Sequence, residues 1–185
     1  MKKFFSNPIV ALILTVIVVF GSVVINTRTR LGKQCDTISG SFYSVSSSGE
    51  ISVADSLRKL CNAAEQLVLL GVKYEIDDAE DAVESVDAIR ETLRSQSRDT
   101  ASLYDEYQEL LKDTFALESA LARTEMSEAD SNSYSVAQHD ASEAKAAIDT
   151  SSYNDNVRSF LKRNGQFPTP QIAKMSGVSL PVLFA

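Results

Sequence analysis

From Val72 to Asn164 the chain contains neither glycine nor proline. Glycine supplies the left-handed backbone that tight turns use, and proline pre-sets their first dihedral, so a stretch this long without either has few ways to build hairpins. It suits long helices instead. Its apolar residues recur at spacings of three and four, the signature of a helix burying one face. The fold expected is therefore all-α: an antiparallel bundle of about four long helices.

The stripes can be followed one by one. Ser52-Val53-Ala54-Asp55 is a capping arrangement, in which a serine oxygen accepts from a free amide and an acid three positions on sits at the positive helix end. Behind it, Leu57, Leu60, Cys61, Ala64, Leu67, Val68 and Gly71 share one face. A second helix begins at Asp77-Asp78 and carries Ala79, Ala82, Val83, Val86, Ile89 and Leu93. A third carries Leu103, Tyr107, Leu110, Thr114, Leu117 and Leu121, widened by Tyr104, Leu111 and Phe115. A polar break is expected across Ser127 to Ser133. The fourth segment runs from Tyr134 through Ala137, Ala141, Ala144 and Ile148 to Tyr153, Val157, Phe160 and Leu161. Gly165 ends it, and Pro168 and Pro170 forbid simple continuation. The tail from Ile172 to Phe184 is apolar enough to fold back onto the bundle.

Ahead of the bundle lies a different kind of segment, the uncharged run Ile9 to Ile25. At about 1.5 Å per residue it spans roughly 25 Å, the short end of what crosses a bilayer's hydrocarbon core. Lys2 and Lys3 flank one side and Arg28, Arg30 and Lys33 the other. A cleavable signal peptide would share the basic start, but the apolar character continues past Gly21 and no Ala-x-Ala site appears. The run reads as an uncut, single-pass anchor. The expected division is a tail over 1–8, a transmembrane helix over 9–26, a juxtamembrane segment and loop over 27–52, and the bundle with its tail over 53–185. Leu31, Ile38 and Tyr43 form a weak stripe that would carry the first helix past Asn26.

Chemistry is sparse. The net charge is −7 and no basic patch is visible in the sequence, so no nucleic-acid partner is expected. The acids Asp77, Asp78, Glu80, Asp81 and Glu84 lack the central glycine and alternation of a calcium loop, and a helix start explains them. His139 and Glu143 stand one turn apart, but two ligands make a poor metal site and the chain has a single histidine. No phosphate loop, nucleophile elbow or Cys-His pairing occurs. No cofactor, metal or catalytic residue is expected, and the chain reads as a non-enzyme. Cys35 and Cys61 could form at most one disulfide; Cys61 reads as a small core residue.

The end of the fourth segment carries a resemblance. YNDNVRSFLKRNGQFPTPQIAKMSG resembles the C-terminal signature of the LemA family: Tyr153-Asn154, Val157, Phe160, Phe167-Pro168, Ala173 and Gly177 fall at the family's spacings. Glu143 stands where the family tends to carry an acid. SLRKLCNAAEQLVLLGVKY resembles the helix with which these domains begin. The sequence departs at Leu161, where the family has asparagine, and at Asn164, where it has an aliphatic. It also lacks the family's Tyr-Pro element between the third and fourth helices. The resemblance covers most of the chain after the anchor, with about 25 specific residues, and implies a membrane-anchored antiparallel bundle of bacterial type without an assigned activity. Bottom-up, the signature residues are structural: Tyr153, Val157 and Phe160 make one stripe, and Phe167 with Pro168 would close the bundle's end.

The function expected is a membrane-tethered scaffold or adaptor that engages a protein partner. The alternatives are a sensory bundle that binds a small molecule and, behind that, a hydrolase with an unread site. Basic flanks of near-equal size decide sidedness poorly. The export-like N-terminus favours a bundle outside the cytoplasm.

Overall fold

The computed structural model describes residues 8–45, 51–97, 99–166 and 169–184. Seven α-helices and no strand occur among them: α1 Pro8–Ser41, α2 Val53–Lys73, α3 Asp78–Ser95, α4 Thr100–Leu121, α5 Glu128–Asp149, α6 Ser152–Asn164 and α7 Thr169–Ser176. The all-α antiparallel bundle expected from the sequence is present as α2 to α5. α2 is its axis, with α5 lying antiparallel along one side, α3 along another, and α4 paired to α3.

Local chemistry explains the ends. Ser52 Oγ accepts from the Asp55 amide at 3.1 Å and donates to the Asp55 carboxylate at 2.8 Å, closing the capping arrangement that the sequence carries. The break before α5 falls earlier than expected, between Leu121 and Glu128, because Ser127 is itself the cap: its Oγ accepts from the Asp130 amide at 3.2 Å. The polar residues after it are helical, and all but Asp130, which bonds Lys73 and Tyr74 of the α2 end, face solvent.

The expected fourth helix is two helices. α5 stops at Asp149 and α6 restarts at Ser152, with Ser151 Oγ accepting from the Asn154 amide at 3.3 Å. The Asn154 side chain holds the corner from the other direction, donating to the Ile148 carbonyl at 2.8 Å and capping α5. A cap residue thus outcompetes helix continuation, although the apolar stripe continues across the corner.

The core has three parts. The largest joins Leu57, Leu60 and Cys61 of α2 to Ile89, Leu103, Leu110 and Ile148. A second, at the far end, holds Leu67, Ala79, Leu117, Leu121 and Ala137. The third is Leu31 and Cys35 of α1 with Phe160 and Ala173. α1 therefore runs on through residues 27–41 as one helix and packs its last turns against α6 and α7. Its first part differs: from Ala11 to Phe20 every residue is exposed. The segment Ala11–Ser41 is the one helix among the described residues long and apolar enough to cross a membrane. Its most apolar window has a mean hydropathy of 2.0 and nothing covering it.

Candidate functional site

The signature residues converge on the C-terminal tail. Tyr153 Oη donates to the Val182 carbonyl at 2.9 Å. The Asn154 side chain pairs with Phe184 in both directions: its amide donates to the Phe184 carbonyl at 2.5 Å and its oxygen accepts from the Phe184 amide at 2.9 Å. This is the pairing one strand offers another, supplied here by a side chain. It seats the Phe184 ring, fully buried, among Phe42, Tyr104, Tyr107 and Tyr153, with ring centres 5.1 to 6.0 Å away. The tail thus folds back as expected, and deeper than a surface strap.

Val157 lies in the main core, while Phe160 and Ala173 seat the base helices on α1. Gly177 has φ +65°, and the Val178 amide bonds the Ala173 carbonyl at 3.0 Å, a Schellman closure of α7 that a left-handed glycine allows. Glu143 stands apart, exposed on α5 at the rim of a groove of about 350 Å³ between α2 and α5, where Lys59, Asn62 and Asp140 also line it. Phe167 and Pro168 lie outside the described residues. The seven described signature residues do not form one site: six stabilise the base, and Glu143 faces solvent on the bundle.

Both cysteines are free and buried, on different clusters. Burial pushes the Cys61 thiol up to about 11, so it stays protonated and inert at neutral pH. No group of three metal-ligating side chains occurs among the described residues. His139 and Glu143 open onto different grooves.

The feature that sequence reading missed is a cleft between α4 and α5. Both helices pack on α2 but barely touch each other. They meet where Tyr134 Oη donates to the Glu118 carbonyl at 3.2 Å, then diverge. The groove between them holds about 630 Å³, with Leu60 and Ala141 deep in it, Leu111, Thr114 and Phe115 along α4, and Gln138, His139 and Lys145 along α5. Phe115 is 71 % exposed there. Thr114 Oγ1 is buried with no hydrogen-bond partner, and burial raises the Glu118 carboxyl above its ordinary value. The only sequence signal was Phe115, which widens the α4 stripe beyond what one neighbour can cover.

No protein-family model, no curated protein and no solved structure matches the chain.

Proposed function

We propose that the chain is a single-pass membrane protein whose bundle is a non-enzymatic scaffold, engaging a protein partner through the α4–α5 cleft. The observation that carries this reading is the exposed Phe115 beside Leu111 in an open groove of α2, α4 and α5. One more amphipathic helix laid there would cover the uncapped side of the bundle, the helix-in-groove mode of recognition. The uncovered apolar half of α1 supports the anchor. Membership of the LemA family is part of the same proposal, supported by the way Tyr153 and Asn154 organise the base.

A ligand-binding sensor is the second reading, favoured by the polar lining and the unsatisfied Thr114 hydroxyl. Photocrosslinking separates the two. With a photoreactive residue at Phe115 and a control at the exposed Glu91 on α3, the scaffold reading gives one discrete protein adduct in native membranes from position 115 alone. Equal labelling from both positions, or none from 115, contradicts it.

The bundle is proposed to lie outside the cytoplasm. Cys35 is unsuited to test this, because only 4 % of it is exposed. Met175 is 81 % exposed, so Met175→Cys should react with a membrane-impermeant thiol reagent on intact cells. Labelling only after lysis would put the bundle inside.

A further inference from the structure

All 25 Asp and Glu residues of the chain lie between Asp36 and Asp155. Outside that interval, Arg28, Arg30 and Lys33 on α1 and Arg158, Lys162, Arg163 and Lys174 on α6 and α7 occur with no acid among them. The fold brings the two groups together, since α6 and α7 are the helices that pack on α1. The sequence, read linearly, shows no basic patch; the folded base has one. Of these residues, Arg158 is paired with Asp155 at 3.0 Å.

Within this base a pocket of about 380 Å³ is lined by Asn26, Arg30 and Gln34 of α1, by Arg163 and Asn164 of α6, and by Thr169 at the start of α7. Two arginines and three amide residues line it and no acidic residue does; Arg163 Nε donates to the Ser159 carbonyl at 3.1 Å and Asn164 Nδ2 to the Phe160 carbonyl at 3.3 Å. Guanidinium forks match the paired oxygens of a phosphate, and two cations brought to one pocket favour an anion between them. The height is equally specific. Arg30 is five residues beyond Ile25, roughly 7.5 Å along a helix, which falls in the headgroup layer of a bilayer that α1 crosses.

We infer that the pocket between Arg30 and Arg163 binds the phosphate of an anionic phospholipid headgroup. The acidic bundle, with nine Lys and Arg against 22 Asp and Glu over residues 53–149, is repelled by the same surface. Together the two ends would hold the bundle upright, with the base down and the α4–α5 cleft clear of the membrane. This inference rests on the anchor reading but not on the partner.

The test uses the full chain reconstituted in an equimolar mixture of phosphatidylcholine and phosphatidylglycerol, then extracted, with the retained lipids measured by mass spectrometry. The wild type should be enriched in phosphatidylglycerol. The Arg30→Gln, Arg163→Gln double variant should lose that enrichment by about thirtyfold, as expected for removing two basic residues at a membrane surface. The Lys59→Gln, Lys145→Gln control, on the bundle, should keep it. Both arginines are exposed, so unchanged helicity and melting temperature should show that the fold survives. Retained enrichment in the double variant, or equal loss in the control, would overturn the inference. If inorganic phosphate displaces the lipid one for one, the pocket serves free phosphate and the lipid assignment falls. A chain that stays in the membrane without selectivity sinks this inference alone. A chain released by alkaline carbonate sinks the anchor with it.

Discussion

Two buried tyrosines in one aromatic cluster make opposite predictions. Tyr153 Oη is satisfied by the Val182 carbonyl, whereas Tyr107 Oη is buried with no partner. Tyr153→Phe should therefore cost about 1 kcal/mol in urea denaturation, while Tyr107→Phe should be neutral within about 0.5 kcal/mol or stabilising. Asn154→Ala should be the costliest of the three, at about 3 kcal/mol, because it leaves the buried amide and carbonyl of Phe184 without their partner. The separate stripes containing Tyr107 and Tyr153 were legible in the sequence because burial follows helical period. The partners of Tyr153 Oη and of the Asn154 side chain were not, because Val182 and Phe184 reach them by backbone atoms, which carry no residue-type signal. Asp130 gives the pH prediction. Hydrogen bonds from Lys73, Ser127 and Tyr74 hold its carboxyl well below the ordinary 3.8. A depressed carboxylate contributes stability above its unfolded pKa and loses it as pH falls. The urea midpoint should thus drop as pH is lowered below about 4, and Asp130→Asn should flatten that part of the drop while lowering the midpoint at pH 7.

At the level of helices, the close approach of α2 to its neighbours is set by Gly71. A Cβ built there would stand 2.8 Å from Leu117 Cδ1 and 2.9 Å from Ala79 Cβ. Leu117 is fully buried and Ala79 has no rotamer to change, so α3 would have to shift. Gly71→Ala gains about 1 kcal/mol of helix propensity but should lose more to overpacking, giving a net destabilisation of about 1 to 2 kcal/mol by thermal melting. A stabilised variant would mean the helices separate freely. Helix positions were readable wherever a local device marks them, as Ser52 and the Asp77-Asp78 start do. The split at Thr150 and Ser151 was missed because the apolar stripe crosses it without a phase break, so periodicity voted for one helix. The α4–α5 cleft was missed for a related reason: a stripe says that a face is apolar, not whether a neighbour covers it.

On the scale of the molecule, an acidic bundle stands on a base shared between the end of α1 and the C-terminal helices. A cut within α1 should respect that base. A fragment beginning at Asn26 keeps Leu31, Cys35 and Phe42, which are 0 to 4 % exposed, whereas one beginning at Ser46 removes all three. The longer fragment should be soluble and melt higher by several degrees, since deleting buried apolar side chains from a domain this size costs a few kcal/mol. Equal melting temperatures would mean that α1 is only a tether. The central claim is that α1 fixes this base to a bilayer, and alkaline carbonate extraction of membranes containing the full chain tests it most directly. The full chain should remain in the membrane pellet with its N-terminus intact. Release into the supernatant, or a mature chain beginning near Ser22, would contradict it.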